Sequence, residues 1–197
     1  MTSKAIIGLV ITIIAVALLF VFGLKKEQPT TLSMNTTHQI TMSTSAGDIV
    51  IDMYGEATPK TVENFTTLAS EGFYDGTRFH RIIENFMVQG GDPLSKDLES
   101  KNMWGTGGPG YQFEDEFVPE LSNVKGTIAM ANAGPGTNGS QFFLNVADNT
   151  FLDGKHTVFG VVSEGYDIVE ALSQVATDGG DKPLEDVILN SVTVEAK

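Results

Sequence analysis

The stretch FHRIIENFMVQGGD, residues 79–92, decides how this chain is read. It looks like two short apolar β runs, 77–83 and 86–89, around a polar Glu84-Asn85 turn. Arg81 stands inside the first run and Gln89 ends the second. Burying an unpaired guanidinium is strongly unfavourable. Arg81 therefore calls either for a rim position beside a carboxylate or for a chemical task.

Outward from this stretch, short β runs recur at 40–44, 48–53, 111–113, 127–131, 142–146, 157–162 and 187–194, separated by glycine-rich turns. Such a series favours a barrel or a sandwich. Two helical patterns interrupt it. The first has Thr58 as N-cap, Pro59 at its first position, Val62, Phe65, Leu68 and Ala69 at helical spacing, and Gly72 as a stop. The second covers 166–175, with Ile168, Ala171, Leu172 and Val175 as its apolar stripe. Two such helices can plug the open ends of a small barrel.

The charge balance excludes several functions. The chain carries 12 basic and 25 acidic side chains, a net charge of −13. Lys4, Lys25 and Lys26 flank an N-terminal apolar segment, and the remaining body is more acidic still. A nucleic-acid partner needs a basic face and is not expected. With no cysteine there is no disulfide, thiol nucleophile or thiolate site. His38, His80 and His156 lie far apart, so neither a metal site nor a cofactor is expected.

Residues 5–24, AIIGLVITIIAVALLFVFGL, are uncharged throughout. As a helix they would reach about 30 Å, the thickness of a bilayer core. No small-residue cleavage pattern follows. Residues 1–26 are thus expected to form an uncleaved single-pass transmembrane anchor, with the domain outside the cytoplasm. Residues 27–39, EQPTTLSMNTTHQ, read as a polar tether, and the domain occupies 40–197.

Other motifs give way to plainer readings. GTGGPG at 105–110 matches a dinucleotide fingerprint by letter, but a charged, irregular stretch precedes it and an acidic strand-like one follows. Pro109 also removes an N–H donor, so the expectation is a tight loop. Glu114, Asp115 and Glu116 read as a solvated rim, since adjacent strand residues face opposite ways. No nucleophile elbow is present. An enzyme of this composition would catalyse something that needs neither a covalent catalyst nor a metal.

Three stretches taken together change the odds for Arg81. Besides 79–92 they are MANAGPGTNGSQFFLNV, residues 130–146, and FLDGKHTVFG, residues 151–160. They resemble the cyclophilin family of peptidyl-prolyl cis-trans isomerases, whose patterns run F-H-R-[IV]-I-x-x-F-M-x-Q-G-G-D, M-A-N-A-x-x-x-x-N-G-S-Q-F-F and [WF]-L-D-x-x-H-x-V-F-G. GTGGPGYQFEDEF resembles the loop and strand that the family places between the first two. The order is the family's, and the resemblance extends over residues 40–197.

The resemblance implies a mainly β fold, a closed eight-stranded antiparallel barrel capped by two α-helices, with a groove that takes extended X-Pro peptides. Arg81 becomes the catalytic residue. Phe86, Met87, Phe143 and Leu152 would wall the proline pocket, with His156 at its edge. Gln89 and Gln141 would orient Arg81 and touch the peptide. Ala131, Asn132 and Ala133 would line the peptide backbone's path, and Gly105 the groove's side. A monomer acting on proline-containing polypeptides at the membrane is expected. The alternative is a non-catalytic proline-peptide-binding module or chaperone on the same fold.

One difficulty stands out. A two-residue turn at Glu84-Asn85 would pair Ile83 with Phe86, which leaves Arg81 opposite in parity to Met87 and Gln89. The implied site needs all of them together, so a longer, irregular connection is expected. Two departures from the family also matter. Residues 93–104 are longer than the corresponding loop of compact members and lie beside the implied groove. Phe151 stands where many members carry tryptophan, which keeps the apolar wall but loses an N–H donor. Catalysis should persist while cyclosporin affinity falls. Inhibition assays on the wild type and Phe151→Trp test this, and equal nanomolar inhibition of both would contradict it.

Overall fold

The computed structural model describes residues 35–197. Nine strands are present: β1 (His38–Thr44), β2 (Gly47–Met53), β3 (Thr77–Arg78), β4 (Arg81–Ile83), β5 (Met87–Gly90), β6 (Thr127–Met130), β7 (Phe142–Asn145), β8 (Val158–Glu164) and β9 (Ile188–Ala196). They form one sheet in the order β3-β9-β1-β2-β8-β6-β7-β5-β4, and every neighbouring pair is antiparallel. Two helices, α1 (Pro59–Ser70) and α2 (Tyr166–Ser173), pack against it.

The expected closed barrel of eight strands is corrected to a curled antiparallel half-barrel of nine. The run 77–83 splits at Phe79 and His80, which are 1% and 2% exposed. Two consecutive inward side chains cannot belong to a regular strand, whose side chains alternate. The ladder therefore changes partner across them: Arg78 pairs with Ile188 on β9, and Arg81 pairs with Gln89 on β5. The two edge strands are in this way separated by two residues of chain.

Alternation elsewhere is regular. Ile40 and Met42 on β1 and Ile49, Ile51 and Met53 on β2 are fully buried, with their neighbours turned outward. On α1, Phe65 stacks on Tyr74 at 4.8 Å and meets Phe142 and Phe159 at 5.5 and 5.6 Å. On α2 the expected stripe holds in part: Leu172 is buried and Ile168 and Val175 pack on the core, but Ala171 is exposed and Val169 and Ser173 are buried in its place. Ile168 also covers the Gly47 turn, where a Cβ would come 2.9 Å from its Cδ1. Residues 111–113 form no strand; Phe113 makes one isolated bridge to Asn138.

The acidic rim reading also changes. Thr58 is the N-cap residue of α1, as expected, but its side chain makes no cap hydrogen bond; its hydroxyl donates to the Tyr54 carbonyl. The Glu116 carboxylate supplies the missing acceptor, taking hydrogen bonds from Lys60 N at 3.2 Å, Thr61 N at 2.8 Å and Thr61 Oγ1 at 2.8 Å. A negative charge is well placed at a helix N-terminus. Asp115 accepts from Gly136 N and Asn138 Nδ2. Glu114 alone of the three is exposed.

Among the described residues no helix is long and apolar enough to cross a membrane. The expected anchor, 1–26, lies outside the described residues, as does most of the tether. β1 begins at His38, two residues inside the stretch read as tether.

Candidate active site

The site begins with the β4–β5 connection. Arg81 pairs with Gln89, Ile82 with Val88 and Ile83 with Met87. The loop is therefore three residues, Glu84, Asn85 and Phe86, closed by Phe86 N donating to Ile83 O at 3.1 Å. Asn85 has φ 57, a left-handed conformation that asparagine tolerates better than most residues. The extra residue resolves the parity problem. Arg81, Ile83, Met87 and Gln89 share one face, while Ile82 and Val88 point into the core.

The face continues across the sheet. Gln89 lies opposite Phe143 on β7, Phe143 opposite Ala129 on β6, and Ala129 opposite Val158 on β8. Directly opposed residues share a face, so a row runs from Arg81 to Val158 over five strands. Met87, Ala129, Phe143 and Val158 form a buried apolar cluster distinct from the main core. Ile83, Phe86, Leu121, Ala131 and Leu152 pack on it. Phe151, 61% exposed, stacks on Phe86 at 5.9 Å. His156 meets Phe143 edge-on at 5.4 Å. Its Nδ1 lies 2.9 Å from the Met130 carbonyl, which can only accept, so Nδ1 carries the proton and Nε2 is the acceptor of the neutral ring.

A groove of about 900 Å³ adjoins this patch, lined by Gln89, Gly105, the loop 106–112, Ala131, Asn132, Ala133, Thr137 and residues 139–141. Gln89 Nε2 donates to Gln141 Oε1 at 3.0 Å, and Gln141 Nε2 to the Gly107 carbonyl at 2.8 Å. Asn132 is held by its side chain, which donates to Lys155 O. Its main-chain N–H and C=O have no partner among the described residues. Ala133 N donates to Thr137 Oγ1. All thirteen expected residues thus fall in two adjoining areas. The apolar patch takes Phe86, Met87, Phe143, Phe151, Leu152 and His156. The groove takes Gly105, Asn132, Ala133 and Gln141. Gln89 and Ala131 join the two, and Arg81 stands beside Gln89.

Buried Asp92 builds the loop beyond. Its carboxylate accepts from Leu94 N at 2.7 Å, from Gly105 N, and from Gly107 N at 3.2 Å. A Cβ at Gly107 would collide with it. This confirms the tight-loop reading of GTGGPG, with neither strand before nor helix after. Residues 93–104 are ordered as two 3₁₀ turns, Pro93–Lys96 and Leu98–Met103, capped by Asp92 and Asp97.

Sequence reasoning missed Ala129, Val158 and Ile83, whose place depends on register, and Asp181, which accepts from Arg81 Nε at 3.3 Å. It also missed His80, seen only as one of three scattered histidines. His80 is 2% exposed, and neither ring nitrogen has a hydrogen-bond partner among the described residues. Burial holds its pKa below the ordinary 6.5, against the opposing charge of Asp92.

Comparisons with known proteins give the family. The family model for cyclophilin type peptidyl-prolyl cis-trans isomerase/CLD matches residues 39–194. Peptidyl-prolyl cis-trans isomerase A of Mycobacterium tuberculosis is 47% identical over 176 residues, covering 80% of this chain and 92% of its own. Peptidyl-prolyl cis-trans isomerase B of Streptomyces anulatus is 48% identical over 176 residues, covering 80% and 96%. A cyclophilin type isomerase of Cryptosporidium parvum, solved in the presence of the dipeptide Ala-Pro, superposes with TM-score 0.74 at 32% identity, covering 81% of this chain and 99% of that one. The chain belongs to the cyclophilin-type peptidyl-prolyl cis-trans isomerases, and its activity is the metal-independent isomerisation of X-Pro peptide bonds.

The depressed pKa of His80 gives a pH prediction. Between that lowered value and 6.5, the unfolded chain binds a proton that the folded one does not. Stability therefore falls as pH drops through that window. Urea unfolding between about pH 7 and about pH 5 should show a steeper loss for the wild type than for His80→Gln. Parallel slopes would contradict this.

Proposed function

We propose that Arg81 is the catalytic residue and that the patch of Phe86, Met87, Phe143, Leu152 and His156 grips the proline ring. The observation that carries this reading is the shared face. A permanent cation stands one cross-strand position from Gln89, which is next to an apolar cluster outside the core.

The peptide C–N bond resists rotation by about 18–20 kcal/mol because of amide resonance. As an X-Pro bond twists, resonance is lost and the proline nitrogen recovers a lone pair. A donor aimed at that nitrogen stabilises the twisted state over either planar one, which is differential binding. Arginine remains charged at any working pH. The apolar wall fixes the ring, and the Asn132 main-chain groups, beside Ala131 and Ala133, offer strand-like hydrogen bonds to the peptide. Gln89 and Gln141, tied to each other, hold the polar side of the groove with Gly105. An acceleration of about 10⁶-fold needs only about 8 kcal/mol, within reach of one aimed charge and a fixed ring. Phe151 keeps the wall while weakening cyclosporin.

We further propose that residues 5–24 anchor a monomeric enzyme to a membrane, with the domain outside the cytoplasm, where it assists the folding of proteins. The support is an uncharged apolar stretch of bilayer-spanning length followed by a polar tether.

A protease-coupled assay on an X-Pro peptide tests the site. Arg81→Ala should lower kcat/KM by about 10²–10³-fold, the usual loss for one transition-state donor; an unchanged rate would remove Arg81 from catalysis. Protease protection of the domain in sealed vesicles tests the topology. Membrane-bound protein with its domain on the extracytoplasmic side is expected, and a fully soluble protein would refute the anchor.

A further inference from the structure

Arg81 does not stand alone at the sheet edge. Its Nε donates to Asp181 Oδ2 at 3.3 Å, and the main chain beside it is held by the same residue, Ile82 N donating to Asp181 O at 2.9 Å. We propose that Asp181 is the positioning residue for the catalytic guanidinium, and that the turn around it exists to present its carboxylate to Arg81. The proposal rests on the reading of Arg81 as catalytic.

The turn is built to be stiff. Asp178 Oδ1 accepts from Gly180 N at 2.8 Å and from Lys182 N at 3.0 Å. Asp178 N donates to Lys182 O, and Asp181 N to Asp178 O. Thr177 and Pro183 close the base in an isolated bridge. Asp181 itself is left-handed at φ 63. Lys182 Nζ then donates to Lys101 O at 2.9 Å, which fastens the turn to the 3₁₀ segment Leu98–Met103.

Stability does not explain the pair. The two side chains are 44% and 42% exposed, and exposed ion pairs contribute little to folding. Geometry does explain it. Guanidinium is a planar fork of five N–H donors. Engaging Nε fixes the plane and leaves four N–H groups on the two terminal nitrogens, which have no partner among the described residues. Arginine has a long, rotamer-rich stem, and aiming it in advance removes an ordering penalty from the transition state. Asp181 would act on the twisted state without touching substrate.

Asparagine keeps the left-handed backbone and the shape of Asp181 but not its charge. Asp181→Asn should therefore lower kcat about tenfold with KM unchanged. Its Tm should stay within about 2 °C of wild type, as for an exposed pair. The Arg81 Nε–H signal in a ¹⁵N spectrum should move and broaden. Wild-type kcat/KM in Asp181→Asn, beside an inactive Arg81→Ala, would overturn this inference alone. So would a loss of activity with the Nε–H signal unmoved, or one accompanied by a large fall in Tm. A fully active Arg81→Ala would instead overturn the catalytic reading, and this one with it.

Discussion

Side chains of a β-strand alternate with a period of two, so one residue more or fewer in a hairpin connection transfers a whole strand's side chains to the other face. In this protein that constraint acts at Glu84, Asn85 and Phe86. The left-handed Asn85 allows a three-residue loop, and the register that follows places Met87 and Gln89 beside Arg81. From there Phe143, Ala129 and Val158 continue the row. The alternate row, Ile82, Val88, Leu144 and Ile128, belongs to the main core. One face of the same strands thus builds the main core while the other builds a second, smaller apolar cluster beside the groove.

The site's chemistry suits a strongly acidic chain. Of its two arginines, Arg78 is bound by Asp186 at 2.7 Å and sits over the Trp104 ring, a structural use. Arg81 keeps most of its donors uncommitted. Rotation about an X-Pro bond transfers no proton and breaks no covalent bond, so the reaction calls for no nucleophile and no general acid or base. That requirement matches a sequence without cysteine or a nucleophile elbow.

Most of the strands and both helices were legible because their signals are local: alternation in 48–53, the Pro59 start and Gly72 stop of α1, the glycine punctuation of the turns. The residues expected in the site came from three long motifs, and the parity conflict correctly demanded a longer loop after Ile83. What escaped was long-range. Glu116 caps a helix that begins 57 residues earlier in the chain. Asp181 meets Arg81 from 100 residues away. Nothing in the local sequence distinguishes either carboxylate from the many solvated ones. The break at Phe79 and His80 was invisible for another reason: an apolar residue followed by histidine reads as ordinary alternation, and only burial of both reveals the irregularity.

That break has a consequence for the company the enzyme keeps. An X-Pro isomerase acts on proline-containing chains, and an extended chain can pair with an open sheet edge. Here the sheet ends in strands of two and three residues, β3 and β4, each stopped by the inward turn at Phe79 and His80. Short edges offer too few free N–H and C=O groups to template a lasting strand addition. If the groove takes the peptide as proposed, the adjoining edge gives a bound chain no ladder to stay on after one rotation.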